Sequence, residues 1–176
     1  RVDVETDDDE KIKSAVVAAT GGNLKWGLSA AGFLPPDVFR FFQRYGVELM
    51  SGFGMTEATG GITMTPPFQY RENSLGKALP GIEIKLGEDG EILIRGPYVM
   101  INYYDQEPEE TFDIDGWLAT GDIMRMDKDG FIEIIDRKKE IYKNIKGETI
   151  APQKIENLFR DFEFVKQVFL AGDHRP

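Results

Sequence analysis

The sequence contains no cysteine and a single histidine, His174. The absence of cysteine excludes a disulfide framework and thiolate chemistry, and a histidine base would have to come from near the chain end. The sequence also lacks a run of about 18 apolar residues and a basic-then-apolar segment at its start. We therefore expect a cytoplasmic location, with peripheral membrane contact of the full-length protein left open.

Basic residues are scarce, with 21 Lys and Arg against 31 Asp and Glu and a net charge of −10. Contact with phosphate backbones requires a basic surface, so we expect no nucleic-acid partner. The 176 residues are 41% apolar, which suffices for one domain or slightly more. Because the chain begins at Arg1 and ends shortly after an apolar run, we expect an interior fragment of a longer protein.

The first part of the chain has the pattern of a β-α-β unit. Residues 24–29 are strand-like, Pro35 and Pro36 then open an apolar segment with helical spacing over residues 38–45, and residues 47–50 form the next strand-like segment. Ligands usually gather where loops leave the carboxyl ends of such strands. The two loops of interest are residues 29–34 and 51–61.

From about residue 75 the pattern changes to short alternating strands, which predicts a β-rich part. Residues 82–86 and 91–95 flank Gly-Glu-Asp-Gly, and residues 123–126 and 131–135 flank Asp-Lys-Asp-Gly. Both connections are typical of hairpins. A short helix is predicted between the two hairpins, at residues 107–112.

The basic cluster Arg137-Lys138-Lys139 indicates a domain boundary, because the β-rich pattern ends there. Beyond it the sequence predicts a helix at residues 152–162 and a strand at 165–171. This last piece is too short for a complete domain. We therefore predict two domains, residues 1–138 and the truncated beginning of a second one at 139–176.

The segment 51–61 contains four glycines and directly follows a predicted strand. Glycine lets a backbone approach a ligand closely, Phe53 offers a stacking face, the Thr56 hydroxyl can donate to a phosphate, and Glu57 suits Mg²⁺. The segment is neither a Walker loop nor a dinucleotide fingerprint. An ordinary glycine-rich turn is an equally good interpretation of these residue types alone.

Two further residues have the chemistry of a nucleotide site. Asp122 follows Thr-Gly and could accept both hydroxyls of a ribose, while Arg137 supplies a guanidinium at the end of the second hairpin. Taken separately, a turn residue and a surface ion pair of Asp136 with Arg137 are the more common explanations. Two Asp-x-Asp-Gly segments echo calcium loops but lack the acids at the first and twelfth positions, so turns are favoured there.

In this order and spacing the motifs resemble the adenylate-forming superfamily of acyl- and aryl-CoA synthetases, peptide-synthetase adenylation domains and beetle luciferases. Residues 52–57 resemble its Tyr-Gly-x-Thr-Glu motif with Phe in place of Tyr, and residues 117–122 match its Trp-x-x-Thr-Gly-Asp motif. Residues 90–96 and 130–156 follow two further family segments. Residues 29–35 depart from the family's Ser-Gly-Gly-Ala-Pro-Leu adenine loop, which leaves the adenine contacts less well supported.

The resemblance implies that the first part of the chain contacts the base and phosphates of ATP. Ala31 and Gly32 would line adenine through their backbone, and Phe53 would stack on it. Thr56 would contact the α-phosphate, and Glu57 would hold Mg²⁺. The implied nucleotide-binding set also includes the two glycines beside Phe53, which are Gly52 and Gly54.

The resemblance implies that the second half of the chain contains the ribose contacts, the hinge of the small domain and a loop that acts in thioester formation. Asp122 would bind the ribose hydroxyls, Ile134 would pack nearby, and Arg137 would reach the ribose or a phosphate. Lys139 would be the hinge of the small domain, and Lys143 would belong to the loop that acts in thioester formation. The implied catalytic residues are Thr56, Glu57, Arg137 and Lys143.

The implied fold is α/β: the end of a large mixed α/β nucleotide-binding domain with a β-rich subdomain, followed by the start of a small α+β C-terminal domain. The implied parent enzyme joins a carboxylic acid to AMP and then transfers the acyl group to coenzyme A. Residues 54–58, 136–140 and 150–156 are most similar to long-chain fatty acyl-CoA synthetases. Another acid-CoA ligase, a fatty acyl-AMP ligase and a non-catalytic nucleotide-binding module remain alternatives.

The family's glycine-rich phosphate loop would precede Arg1, and its distal catalytic lysine would follow Pro176. We therefore expect the fragment by itself to be inactive.

Overall fold

A computed structural model describes residues 8–30, 32, 34–143, 148–159 and 162–172. The chain divides into two compact units, Arg1–Pro80 and Gly81–Pro176. The domain boundary predicted after residue 138 stays a prediction.

The first unit contains a four-stranded sheet with two helices. Its helices are α1 (Asp9–Ala19) and α2 (Pro36–Arg44), and its strands are β1 (Trp26–Ser29), β2 (Glu48–Phe53), β3 (Thr63–Met64) and β4 (Lys77–Ala78). The strand order is β1-β2-β3-β4. Strands β1 and β2 are parallel and joined by α2, which confirms the predicted β-α-β unit; β3 and β4 are added antiparallel.

Local sequence explains both helices of the first unit. The Asp8 side chain accepts a hydrogen bond from the Glu10 N–H at 3.1 Å and so caps α1. Pro36 occupies the first turn of α2, where its missing N–H is not needed. Gly46 follows the helix with φ +89°, which turns the chain into β2.

The second unit contains an antiparallel sheet in the order β5-β6-β7-β8, made of Glu83–Leu86, Glu91–Arg95, Leu118–Met126 and Ile132–Arg137. Both predicted hairpins are confirmed, since β5 pairs with β6 and β7 with β8. Helix α3 (Pro108–Thr111) lies between β6 and β7, as predicted. The remaining elements are β9 (Tyr142–Lys143), β10 (Thr149–Ile150) and α4 (Pro152–Asn157).

Both segments that echo calcium loops are turns closed by an aspartate. The Oδ1 atom of Asp113 accepts from the N–H groups of Asp115 and Trp117, and Oδ1 of Asp127 accepts from those of Asp129 and Phe131. A side chain that bonds the backbone two residues on is the usual reason for aspartate in a turn. The turn interpretation therefore explains both aspartates.

The core of the second unit includes isoleucines from two strands of its sheet, β6 and β8. Ile92 and Ile94 of β6 and Ile132 of β8 are almost completely buried. Directly before β7, the Trp117 ring contacts two cations, with its centroid 4.3 Å from Lys85 Nζ and 4.6 Å from Arg95 Cζ. Trp117 therefore has a structural role at the rim of the sheet.

Two predictions near the C-terminus are wrong. Helix α4 ends at Asn157, and residues 162–172 form no strand within the part of the chain that the structure describes. A strand must pair with a neighbour to satisfy its backbone groups. In the described segment, Phe164 and Phe169 are highly exposed, and the Leu170 N–H donates to the Glu156 side chain at 2.7 Å. Among the described residues, no helix is long and apolar enough to cross a membrane.

Candidate functional site

Phe53 is the last residue of β2, and its backbone is held on both sides. Its N–H donates to Thr63 Oγ1 at 3.2 Å, and its carbonyl accepts from the Ile62 N–H at 2.9 Å. The Thr63 hydroxyl in turn donates to the Leu75 carbonyl at 2.6 Å. Residues 51–53 are therefore strand, and the predicted loop begins only after Phe53. The half-buried ring is presented from a rigid position.

The glycines beside Phe53 are explained by packing within the protein itself. A Cβ on Gly52 would lie 2.8 Å from the Thr63 carbonyl oxygen, and a Cβ on Gly54 would lie 1.5 Å from that of Gly60. Both distances are far below van der Waals contact. These two glycines thus let the backbone lie close to neighbouring segments of the same chain. Their contact with a nucleotide stays a prediction.

Thr56 and Glu57 lie on a short 3₁₀ helix, Thr56–Ala58, directly after Gly54 and Met55. Ala58 is completely buried and anchors this turn, which ends at Thr59 in the left-handed conformation with φ 50°. Thr56 is exposed and Glu57 is half-buried. The turn therefore places a hydroxyl and a carboxylate on neighbouring residues, shortly after Phe53 in the chain.

The donor set at this turn fits Mg²⁺ that is bound together with phosphates. Mg²⁺ is usually held by one or two carboxylates plus substrate phosphates, and Glu57 supplies one hard oxygen ligand. The described part of the chain contains no group of three or more Asp, Glu, His or Cys side chains that could hold a metal by themselves. Glu57 is therefore suited to a Mg²⁺ ion that is also bound by the phosphates of a ligand.

The predicted adenine loop is described only in part. Ala31 lies outside the described residues. Gly32 is exposed, and a Cβ placed on it would meet open space. The adenine contacts of both residues stay predictions.

In the second unit, Asp122 of β7 and Arg137 of β8 occupy paired positions on neighbouring strands. Arg137 Nε lies 2.9 Å from Asp122 Oδ1, so the two side chains form an ion pair. The Asp122 residue is only 1% exposed, whereas the Arg137 side chain is 58% exposed. Although the ion-pair distance is short, no hydrogen-bond donor among the described residues is aligned on Asp122 Oδ1.

These positions correct two expectations from the sequence. Gly121 and Asp122 lie inside β7 and not after a turn, and Arg137 pairs with Asp122 and not with Asp136. A buried carboxylate oxygen without an aligned donor is the kind of atom that a hydroxyl ligand would satisfy. The carboxylate group therefore matches a ribose hydroxyl in its chemistry, while its side chain is only 2% exposed in this structure.

Burial raises the pKa of the Asp122 carboxyl. The nearby positive charge of Arg137 lowers this pKa, while the negative charges of Glu91 and Glu140 raise it further. Desolvation disfavours the charged form of an acid, and here that effect exceeds the attraction of the guanidinium. The protein therefore keeps a carboxylate in a place where its charge is disfavoured.

Asp136 is a second buried carboxylate. The sequence considered alone indicated it only as an ion-pair partner of Arg137. Its Oδ1 accepts from the N–H of Arg137 at 2.7 Å, and its Oδ2 accepts from the N–H of Gln153 at 3.2 Å. Burial raises its pKa, and these two backbone donors oppose the rise. Asp136 thus ties β8 to the first turn of α4. An acid within the apolar run of β8 was the available signal.

Glu91 and Lys138 form a further pair that sequence reasoning missed. Lys138 Nζ lies 2.6 Å from Glu91 Oε2 and 2.7 Å from Asp89 Oδ2. The hydrogen bonds to Asp89 and Glu91 raise the pKa of Lys138. Within the basic cluster Arg137-Lys138-Lys139, Lys138 is therefore bound to the β5-β6 hairpin.

The other predicted residues of the second unit lie at the surface. Ile134 is partly exposed on β8, and Lys139 and Lys143 are exposed. Lys143 belongs to β9 and borders a pocket of about 630 Å³ within this unit. The pocket is lined mainly by isoleucines, with lysines at Lys138, Lys143 and Lys154. The predicted roles of Ile134, Lys139 and Lys143 stay predictions.

The predicted site residues thus form two groups, one in each unit. The family model described as "AMP-binding enzyme" matches residues 4–104 of the chain. The chain belongs to the AMP-binding enzyme family. This finding confirms the resemblance that the motifs indicated. The matched residues include the turn with Thr56 and Glu57, whereas Asp122 and Arg137 lie beyond them.

Two relatives illustrate the similarity at sequence level. The chain is 36% identical over 179 residues to Long-chain-fatty-acid–CoA ligase 6 of Rattus norvegicus, covering 94% of this chain and 26% of that protein. It is 32% identical over 170 residues to Long-chain-fatty-acid–CoA ligase FadD15 of Mycobacterium bovis, covering 96% of this chain and 28% of that protein. The chain therefore spans about a quarter of the length of these AMP-binding relatives.

A solved structure shows the same fold. The O-succinylbenzoate coenzyme A synthetase of Bacillus subtilis, in complex with ATP and magnesium ion, matches with a TM-score of 0.73 at 26% identity. The match covers 88% of this chain and 36% of that chain. It confirms the predicted α/β fold class of the AMP-binding family.

Proposed function

We propose that this chain is part of an ATP-dependent acid–CoA ligase that acts on long-chain fatty acids. The full-length enzyme forms an acyl-adenylate with release of pyrophosphate and then transfers the acyl group to coenzyme A. The observation that carries the proposal is the buried Asp122 carboxylate beside Arg137 in a chain of the AMP-binding family. The names of the similar ligases support the substrate class.

In this proposal Asp122 accepts hydrogen bonds from the ribose hydroxyls. A carboxylate can accept from two vicinal hydroxyls, and Oδ1 has no aligned donor among the described residues. The exposed guanidinium of Arg137 reaches the ribose or a phosphate, and Ile134 packs nearby. Charge stabilisation of this kind is the main contribution that a protein makes to chemistry at phosphates.

The first unit contributes the contacts to the base and the phosphates. Phe53 stacks on adenine from the end of β2, with Ala31 and Gly32 along the purine edge. Thr56 contacts the α-phosphate, and Glu57 holds Mg²⁺. Bound Mg²⁺ supplies positive charge that offsets the negative charge of the phosphates. The backbones of Gly52 and Gly54 complete this part of the site.

The proposal extends to the organisation of the whole protein. Residues 1–138 belong to the large domain and residues 139–176 to the start of a small mobile domain. Lys139 is the hinge, and Lys143 acts in the thioester step. The enzyme is cytoplasmic, with fatty acid, ATP and coenzyme A as its partners.

The test is pyrophosphate release by the full-length protein with ATP, Mg²⁺ and a panel of short-chain, long-chain and aryl acids. We expect release with long-chain acids and formation of acyl-CoA when coenzyme A is added. Asp122→Ala should lower kcat/KM for ATP about 10-fold to 150-fold, which corresponds to roughly 1.5–3 kcal/mol of charged hydrogen bonding. Asp115→Ala, at an exposed position before β7, is the matched control.

Different failures have different meanings. No pyrophosphate release with any acid would reject the ligase. Preference for aryl acids would reject the substrate class, and release without acyl-CoA formation would indicate an acyl-AMP ligase. An unchanged ATP dependence in Asp122→Ala would remove Asp122 from the site.

A further inference from the structure

Strand β7 contains a bulge that includes Asp122. Ala119 pairs with Leu93 and Ile123 with Glu91, so residues 120–122 lie opposite Ile92 alone. Gly121 has φ +76°, a conformation that residues with a Cβ rarely adopt. Bulges of this kind re-aim a side chain next to a functional site. The direction of the Asp122 carboxylate therefore depends on what holds the bulge.

The bulge is held by side chains as well as by backbone. The Gly121 N–H donates to Glu91 Oε1 at 2.8 Å, and the Gly121 carbonyl accepts from the Lys138 N–H at 2.8 Å. The Thr120 hydroxyl donates to the Ile92 carbonyl at 2.9 Å. A buried carboxylate on β6 thus replaces the strand-to-strand hydrogen bond that the bulge removes.

The Glu91 carboxylate is fixed through its second oxygen too. Oε2 lies 2.6 Å from Lys138 Nζ, which also contacts Asp89 at 2.7 Å. The Asp89 Oδ1 accepts from the N–H of Glu91 at 3.1 Å. Because both carboxylate oxygens have a defined partner, Glu91 holds one orientation beneath Gly121.

We infer that Glu91 is a positioning residue for nucleotide recognition: through Gly121 it sets the direction in which Asp122 presents its carboxylate to the ribose hydroxyls. This inference rests on the proposed function, because it needs a ribose at Asp122. Glu91 itself touches no part of the substrate. A small change in the direction of a hydrogen-bonding group weakens its bond steeply, so a displaced bulge weakens ribose recognition.

Glutamine replaces this carboxylate only in part. Glu91 accepts at both oxygens, one from Gly121 and one from Lys138, whereas a glutamine amide has one oxygen. Glu91→Gln must therefore give up one of the two contacts. Glu91→Ala gives up both. The two variants form a graded series at a single position.

The experiment measures the affinities of ATP and 2′,3′-dideoxy-ATP for the full-length protein. The dideoxy compound lacks both hydroxyls that Asp122 would bind, so the ratio of the two affinities reports ribose recognition. We expect Glu91→Ala to weaken ATP about tenfold and dideoxy-ATP less than about twofold, and Glu91→Gln to reduce the ratio about threefold. Glu88→Ala removes one negative charge from an exposed position in the turn before Glu91 and should leave the ratio unchanged.

A pH series separates positioning from a simple effect of charge. The negative charge of Glu91 raises the pKa of Asp122, so its removal by itself would shift the pH dependence of ATP affinity to lower pH. A positioning role instead lowers the ATP-to-dideoxy-ATP ratio even on the high-pH plateau. A pH shift with an unchanged plateau ratio would overturn the inference.

The remaining outcomes are also distinct. If Asp122→Ala leaves the wild-type ratio unchanged, the proposed ribose site fails and the inference with it. If Asp122→Ala lowers the ratio but both Glu91 variants retain it, only the inference fails. Equal weakening of both nucleotides by Glu91→Ala would indicate a general structural role and overturn the inference. Should circular dichroism show that Glu91→Ala is unfolded, the ratio of Glu91→Gln decides.

Discussion

Arg137 Nε lies 2.9 Å from Asp122 Oδ1, and this ion pair joins an exposed guanidinium to a buried carboxylate. The attraction of Arg137 does not fully offset the effect of burial on the Asp122 carboxylate, since the pKa of Asp122 is raised from its ordinary value of 3.8. A raised pKa in the folded state means that the folded protein binds the proton more readily than the unfolded chain. The stability of the protein should therefore depend on the protonation of Asp122.

The first prediction concerns stability against pH. The stabilising contribution of protonated Asp122 is fully present below pH 3.8 and is lost as pH rises through the folded-state pKa. Asp122→Asn removes this titration. In the full-length protein, the melting temperature of Asp122→Asn relative to wild type should therefore increase as the pH is raised above 3.8. Asp115→Asn reports the general effect of losing one acidic charge. A difference that is independent of pH would contradict the prediction.

The second prediction concerns the packing of Gly54 against Gly60. Alanine at position 54 would place Cβ 1.5 Å from the Gly60 carbonyl oxygen, so the segment must move. We expect Gly54→Ala to lower the free energy of unfolding by at least about 2 kcal/mol in denaturant titrations. Gly32→Ala, where Cβ meets open space, should change it by less than about 0.5 kcal/mol. If both variants changed the free energy of unfolding to a similar extent, the close contact between Gly54 and Gly60 would not contribute to stability.

The third prediction concerns Trp117, which contacts the cationic groups of Lys85 and Arg95 on the neighbouring strands β5 and β6. Each such contact is worth about 0.5–1 kcal/mol at an accessible site, in addition to apolar burial. Trp117→Ala should therefore lower the free energy of unfolding by about 2–3 kcal/mol. A double-mutant cycle with Lys85→Met should give a coupling of about 0.5–1 kcal/mol. Zero coupling would reject the cation–ring contact.

The fourth prediction tests the hinge. Lys139 follows β8, between Lys138 and Glu140, whose N–H groups donate to the carbonyls of Gly121 and Arg137. A hinge must absorb backbone changes, and proline removes that freedom. In the full-length protein, Lys139→Pro should spare pyrophosphate release and slow acyl-CoA formation from preformed adenylate at least about tenfold, or roughly 1.4 kcal/mol.

Lys139→Ala is the matched control, because it removes the charge and keeps the backbone freedom. It should leave both half-reactions within about twofold of wild type. Equal loss of both half-reactions in Lys139→Pro, or loss of neither, would show that the boundary after residue 138 is an ordinary linker.

The hairpins could be predicted from sequence because their signals are local. Gly90 and Gly130 adopt positive φ angles of 81° and 82° at the ends of their turns. A glycine after an acidic turn residue is a signal that needs no knowledge of distant contacts. The same is true of Pro36 at the start of α2.

The hydrogen-bond partners of Glu91 and Asp136 could not be predicted, because they are remote in sequence. Glu91 and Lys138 are 47 positions apart, and Asp136 and Gln153 are 17 positions apart. An isolated acid in a strand reads equally well as a surface residue. The predicted strand at residues 165–171 is wrong for a related reason. The apolar pattern of this segment is typical of a strand, but a strand also needs a neighbour to pair with, and the pattern does not specify one.

Lys138 combines an exposed side chain with two carboxylate partners. Only the neutral amine of a lysine attacks acylating reagents, and a raised pKa reduces the neutral fraction at a given pH. We therefore expect Lys138 to react slowly with amine-directed labels although solvent reaches it. Footprinting by lysine modification would then underestimate the accessibility of this surface, and a rise in Lys138 labelling would be a direct chemical signal that the contacts to Asp89 and Glu91 have opened.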